Sequence, residues 1–362
     1  MWVTDLIRPE IAMLESYSPV ASFEALAEGL GCAPEAIIKL DANENPYGPP
    51  PCVIDALAGL TSVHLYPDPE CADLRRVLAE RTGVPVESLL VGAGSDELLG
   101  LITRLFLRPG DALLDCPPTF SMYAFFAEIM GARVVTAPRR EDFSLDFPAI
   151  EAVIARESPK LLFVASPNNP DGGWLSDGDL ERLLDLPLMV VLDEAYIEFA
   201  DREGRIGWVA EHENLIVVRT FSKWAGLAGL RIGYGVFPEV LLPHVMKIKE
   251  PYTVSAAAQA AALAVLRDPD YGPSHRRRVI AERERMSDLL QELPFLQVVP
   301  SQANFIFCRV LDRPAIEIKR ALESQGILVR TFSKPGMEAY LRIGVGRPDQ
   351  TDVLVAALRR MA

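Results

Sequence analysis

The five cysteines, Cys32, Cys52, Cys71, Cys116 and Cys308, are odd in number and no two are spaced as CxxC. Neither a disulfide framework nor a zinc site is suggested, and ordinary buried thiols are the expectation. Lysine is scarce, at seven in 362 residues. No long block of one charge sign interrupts the chain, although 50 acidic residues against 36 basic ones give a formal charge of -14. Nucleic acid is thereby disfavoured as the main partner, and an anionic small molecule would need local positive charge. Long apolar runs are missing as well. The richest stretch, Thr253 to Leu266, contains Gln259 and is too short to cross a bilayer, so it reads as a packed helix and no membrane partner is expected. The start, MWVTDLIRPEIAML, is broken by Asp5, Arg8, Pro9 and Glu10 and lacks the apolar stretch of a signal peptide. A reducing cytoplasm is the expected location.

What is there is a core. With 49% hydrophobic and 24% charged residues, the chain can bury one large domain and one smaller one. From about Val84 to Phe237, short β-branched runs alternate with helical stretches, the pattern of a mostly parallel sheet wrapped by helices. Seven strands are expected: Ser88 to Val91, Ala112 to Leu114, Arg133 to Thr136, Leu161 to Ala165, Leu188 to Leu192, Leu215 to Arg219 and Arg231 to Phe237. Between the first two, Leu98, Leu99, Ile102, Leu105 and Phe106 share one face of a helix over Ser95 to Phe106, with Ser95 as its N-cap. After Pro238 come long helices, one with the basic run Arg276, Arg277, Arg278. Glu282 and Glu284 follow closely, so that run reads as a solvated face. A smaller α+β region adds strands at Ala303 to Arg309 and Tyr340 to Val345. The expected division is an N-terminal segment over 1–45 that packs with the small domain, a large domain over 46–245 and a small one over 246–362.

In open parallel sheets ligands bind outside the carboxyl ends of the strands. Four polar places lie there. Gly92 to Glu97 opens a helix and presents backbone N–H groups suited to a phosphate, although it is neither a GxGxxG nor a P-loop sequence and alone is more often a plain connection. Ser166-Pro167-Asn168-Asn169-Pro170 is the second. Asp193-Glu194-Ala195-Tyr196 offers a carboxylate, which standing alone would be read as a turn cap. Thr220-Phe221-Ser222-Lys223 puts a lysine directly after a buried-looking strand. The usual fate of a lysine is a solvated surface charge, but a desolvated amine with a lowered pKa can bond covalently to an aldehyde cofactor.

Together with Asn43 to Gly48, Tyr66-Pro67-Asp68-Pro69 and Ser222 to Arg231, these motifs resemble, in order and over nearly the whole chain, the fold-type I enzymes that use pyridoxal 5'-phosphate (PLP). Within them the sequence is similar to the histidinol-phosphate aminotransferases. The resemblance implies an α/β fold with a mostly parallel seven-stranded sheet in the large domain. It implies that Lys223 carries PLP as a Schiff base, that Asp193 pairs with the pyridine nitrogen, and that Asn169 and Tyr196 donate to the phenolic oxygen. Ser95, Asp96, Ser222 and Arg231 would cradle the phosphate, Phe120 would stack on the ring, and Tyr66 would reach the phosphate from a second subunit of a homodimer. Arg330 and Arg342, with Asn169 and Tyr17, would bind the substrate. Arg342 lies in an apolar strand, where its charge requires a ligand or a carboxylate. For Phe120, plain core packing is the alternative.

The implied reaction moves the amino group of L-histidinol phosphate to 2-oxoglutarate, giving imidazole acetol phosphate and L-glutamate, with Lys223 as acid–base catalyst. Three positions depart from the family pattern: Phe120 for tyrosine, Asp171 for threonine, and Trp224-Ala225 for Ala-Phe. They leave aromatic amino-acid aminotransferases and threonine-phosphate decarboxylases as rival readings. A PLP-binding regulatory protein without activity is a rival of another class, which the complete set of Lys223, Asp193, Tyr196 and Arg231 argues against.

Overall fold

A computed structural model describes residues 2–14, 27–29, 31 and 33–361. Its larger sheet is made of β2 (Leu89–Gly92), β3 (Ala112–Asp115), β4 (Arg133–Thr136), β5 (Leu161–Ala165), β6 (Met189–Asp193), β7 (Leu215–Thr220) and β8 (Gly233–Val236). The order across it is β2-β8-β7-β6-β5-β3-β4, with β8 antiparallel to both neighbours and the other pairs parallel. Every expected strand forms within a residue or two of its place in the sequence. Alternation explains why these runs carry no polar face. Leu162, Val164, Val190, Leu192, Leu215 and Val217 pack into the core on one side of the sheet. Their neighbours Leu161, Phe163, Val191, Ile216 and Val218 pack into the core on the other. A sheet covered by helices on both faces needs apolar residues at consecutive positions.

The helix Ser95–Phe106 begins and ends as expected, but its cap does not. Gly94 is the N-cap, at φ 82, and Ser95 is the first helical residue. Gly94 is required twice over, because L side chains avoid that backbone and an added Cβ would lie 2.8 Å from Arg231 Nη2. Strand β8 is shorter than the run from Arg231 to Phe237 because Arg231 itself turns through the left-handed region, at φ 50.

The smaller sheet is β12 (Arg330–Thr331), β13 (Tyr340–Gly344), β10 (Phe305–Val310) and β9 (Leu296–Val299), all antiparallel neighbours in that order. A separate parallel pair joins β1 (Ile38–Lys39) to β11 (Ile327–Leu328), tying the segment before residue 45 to the C-terminal region. The alanine-rich helix Ala256–Arg267 lies past residue 245 yet buries Ala258, Ala261, Ala262 and Val265 in the core of the larger sheet. Small side chains let it sit close against the helix Pro51–Ala58. Among the described residues no helix is long and apolar enough to cross a membrane.

Candidate active site

The parallel strands β5, β6 and β7 all end toward one side of the sheet, and the polar residues that follow them meet there. A cavity of about 400 Å³ is lined by Ser95, Asp96, Phe120, Tyr123, Asn169, Asp193, Tyr196, Ser222, Lys223 and Arg231, among others. A second cavity, of about 390 Å³, shares Phe120, Asn169, Tyr196 and Lys223 with it and adds Arg330, Lys334 and Arg342. Residues as far apart in sequence as Asp41 and Arg342 thus face one joined space.

Lys223 arrives there because Phe221, with no exposed surface, anchors the end of β7 between Trp224 and Tyr234. The backbone is held by Ser222 N donating to Thr220 Oγ1 at 3.1 Å. Lys223 Nζ donates to the carbonyl of Ala42 at 3.3 Å. Burial, and then the nearby charge of Arg342, lower its pKa to about 8. An amine that must shed water to keep its charge gives up a proton more easily.

Asp193, at the end of β6, is 4% exposed. Its Oδ1 accepts from the backbone N–H of Ala195 at 3.0 Å and its Oδ2 from the Tyr123 hydroxyl at 2.8 Å. Burial raises its pKa to about 6 against the opposing pull of those two donors. Tyr196 is buried and accepts from Asn43 Nδ2 at 3.2 Å, which leaves its hydroxyl proton to point elsewhere. Asn169 presents its Oδ1 to Arg342 Nη1 at 2.7 Å, so its amide N–H groups are the part left to donate.

At the helix start, Arg231 Nη2 donates to Asp96 Oδ2 at 3.0 Å and Nη1 to Ser222 Oγ at 3.3 Å. An added Cβ on Gly233 would stand 2.7 Å from Ser95 N. Two glycines therefore keep a cradle of hydroxyls, a guanidinium and helix-start N–H groups free of side-chain bulk. Such a cradle suits a phosphate.

Phe120 lines both cavities, edge-on to Tyr123 with ring centroids 5.5 Å apart. Arg342 donates through Nη1 to Asn169 Oδ1 and through Nη2 to the carbonyl of Asp41, each at 2.7 Å, and these two acceptors are among its partners. Tyr66 lies away from both cavities, 83% exposed and stacked on Tyr252 at 4.6 Å. Tyr17 lies outside the described residues. Of the three departures only Phe120 lines these cavities. Asp171 is buried behind them, accepting from the Asn168 side chain and from Gly173 N at 2.8 Å, and Trp224 packs against the core.

Sequence reasoning gave no role to Tyr123, Asn43 or Lys334. A buried tyrosine must find a partner for its hydroxyl, so the apolar face of Met122–Ile129 held a signal for Tyr123 but not the identity of its acceptor. Lys334 sits four residues past Arg330 and offered no local signal.

One carboxylate nearby supplies a test of these electrostatics. Asp115, ending β3 and 8% exposed, is raised to about 6 by burial, with Lys334 and Arg139 pulling the other way. Between about pH 4 and pH 6 the folded protein therefore holds a proton that the unfolded chain has released, and stability falls as pH rises through that window. Asp115→Asn is expected to gain on the wild type by up to roughly 3 kcal/mol from pH 4 to pH 7. Urea titrations at both pH values measure it, and a constant difference would refute the raised value.

Residues 35–358 match the family described as aminotransferase class I and II. The chain is 49% identical to a histidinol-phosphate aminotransferase of Roseiflexus castenholzii, over 99% of both chains. It is also 49% identical to a chloroplastic histidinol-phosphate aminotransferase of Nicotiana tabacum, over 98% of this chain and 86% of that protein. The crystal structure of histidinol-phosphate aminotransferase from Sinorhizobium meliloti in complex with pyridoxal-5'-phosphate superposes with a TM-score of 0.87, at 30% identity and 98% coverage of both chains. The chain belongs to the class I and II aminotransferases and, within them, to the histidinol-phosphate aminotransferase family.

Proposed function

We propose that this enzyme transfers the amino group of L-histidinol phosphate to 2-oxoglutarate with PLP as its cofactor, giving imidazole acetol phosphate and L-glutamate. The observation that carries the reading is the joined pair of cavities, in which a desolvated lysine, a buried carboxylate and four further cationic side chains meet. The residues fit the cofactor. The glycine-lined cradle takes a phosphate, Asp193 offers a carboxylate to a ring nitrogen, and Phe120 offers a flat face.

When bound, PLP supplies an electron-withdrawing ring that accepts the electron pair left as the substrate carbon loses its proton. Ser95, Asp96, Ser222 and Arg231 hold its phosphate. Asp193 keeps the ring nitrogen protonated, and Asn169 and Tyr196 donate to the phenolic oxygen through the N–H and O–H groups that Arg342 and Asn43 leave available. Lys223 would anchor the cofactor through its ε-amine, and the same amine, when free, would be the base that takes and returns the proton at the substrate carbon. With a pKa of about 8, roughly one such lysine in ten is neutral at pH 7, against fewer than about one in a thousand for an ordinary one.

The cations at Arg330, Lys334 and Arg342 provide the local positive charge that an anionic substrate needs on a chain of charge -14. Arg330→Leu is expected to raise KM for histidinol phosphate on the order of ten- to a hundred-fold while changing kcat little, because a phosphate grip serves ground state and transition state alike. Steady-state kinetics with both substrates checks this, and an unchanged KM would remove Arg330 from the substrate site.

We place Tyr66 against the cofactor phosphate of a second subunit, in keeping with its exposed position, and so read the enzyme as a homodimer; the cytoplasmic location is proposed from the sequence reading alone. Tyr17 is assigned to the substrate by the resemblance alone. We also propose that residues 33–45 belong with the small domain and residues 46–245 with the large one, the helix Ala256–Arg267 sharing the large domain's core; the expected N-terminal segment over 1–45 is divided, because its helix Pro9–Ala12 lies against Met122–Ile129 of the large domain, with Arg8 donating to the carbonyl of Ile129 at 2.8 Å.

The test is the visible spectrum of the PLP-loaded protein, before and after histidinol phosphate is added without a keto acid. The expected result is loss of the lysine-bound cofactor's band, growth of the band of its amine form, and reversal by 2-oxoglutarate. Silence toward histidinol phosphate with a response to phenylalanine or threonine phosphate would reassign the substrate.

A further inference from the structure

The chemistry proposed for Asp193 depends on its charge and its aim, and one residue controls both from outside the reacting atoms. Tyr123 is fully buried on the helix Met122–Ile129. Its hydroxyl donates to Asp193 Oδ2 at 2.8 Å. Its ring stacks on Phe163 of β5, with centroids 5.0 Å apart and planes 17° from parallel, and meets Phe120 edge-on. The two oxygens of Asp193 thus have separate donors, Tyr123 for Oδ2 and the Ala195 N–H for Oδ1. The carboxylate plane cannot turn without breaking one of them.

Burial works against a charged carboxylate, and a hydrogen bond to its charged form works for it. A phenol suits that task, because it keeps its proton across the working pH range. Burial, followed by the charge of Asp193 itself, holds the Tyr123 hydroxyl well above its ordinary pKa, so it stays a donor. The edge contact with Phe120 links the same side chain to the aromatic face offered to the cofactor.

We propose that Tyr123 is a positioning residue for transamination: its hydroxyl holds the Asp193 carboxylate charged and fixed toward the cofactor ring, while its ring seats Phe120 beside that cofactor. The proposal rests on the PLP reading given above. If Tyr123 only filled space between its helix and β5, phenylalanine would serve equally well.

Tyr123→Phe keeps the ring, its two aromatic contacts and nearly all its volume, and removes only the hydroxyl. Three quantities are measured: the dissociation constant of PLP, the pH at which the bound cofactor's visible band changes, and kcat. The expected results are PLP binding weakened about ten-fold or more, a displaced spectral titration, and kcat lowered on the order of ten- to a hundred-fold, the range for a lost hydrogen bond to a charged group. Thermal unfolding of the cofactor-free protein reports that the fold is kept. In an Asp193→Asn background the same change should alter PLP affinity by less than about two-fold, since Tyr123 acts through the carboxylate. Wild-type affinity and titration in Tyr123→Phe would overturn the proposal, and so would equal losses in both backgrounds. A wild-type chain that takes up no PLP would overturn the cofactor assignment itself, a result seen without any variant.

Discussion

Lys223→Ala is expected to abolish turnover, by on the order of 10⁴-fold or more, because the substitution removes both the covalent anchor and the base that moves the proton. PLP would still bind through the phosphate cradle and Asp193, but the visible band of the lysine-bound cofactor would be absent. The effect on stability runs the other way. Folding lowers the pKa of this amine from 10.5 to about 8, so below pH 8 the folded protein carries a charge that burial disfavours. Stability from this group is therefore gained only as pH rises from about 8 toward 10.5. At pH 7 the cofactor-free alanine variant should be at least as stable as the wild type in urea. A folded variant with wild-type turnover would sink the mechanism, whereas marked destabilisation at pH 7 would mark Lys223 as a structural residue.

The second large effect is expected at Asp193. Asn at this position has nearly the same shape but cannot hold a charge against a protonated ring nitrogen, and kcat should fall on the order of a thousand-fold. The local hydrogen bonds can survive the change, because the amide oxygen still accepts from Ala195 N while its N–H₂ donates to the Tyr123 hydroxyl oxygen, so what is lost is the negative charge. The cofactor-free variant should nonetheless lose little stability at neutral pH, since the wild-type carboxylate is raised to about 6 by burial and is charged there at a cost. Kinetics at saturating PLP and unfolding without it separate the two effects. A variant with normal kcat would show that Asp193 is not the partner of the ring.

Much of this site was legible because its chemistry sits at strand ends. A run such as LLFVA or MVVLD must be a buried strand, and the polar residue that follows it must lie at the sheet's carboxyl edge. That logic reached Asn169, Asp193 and Lys223, and the helical spacing of apolar residues set the helix from Ser95 to Phe106. It erred by one residue on the cap, because the choice of Gly94 over Ser95 depends on how closely Arg231 approaches, a contact across 137 residues. For Arg342 the sequence shows that a buried guanidinium needs acceptors, but not that an amide oxygen and the carbonyl of Asp41 are among them.

The sequence by itself determined the strands, their burial on both faces and the identity of the groups able to do the chemistry, since periodicity and side-chain type are local properties. Only the tertiary structure decided which groups touch. It set Tyr123 against Asp193, Asn43 against Tyr196, and Lys334 beside Arg330 and Arg342. It also brought the backbone of Gly48 within 2.7 Å of a Cβ placed on Gly226, uniting two motifs that lie far apart along the chain. Hydrogen bonds and charge shifts act over a few ångströms, and separations on that scale between distant segments are fixed by packing alone.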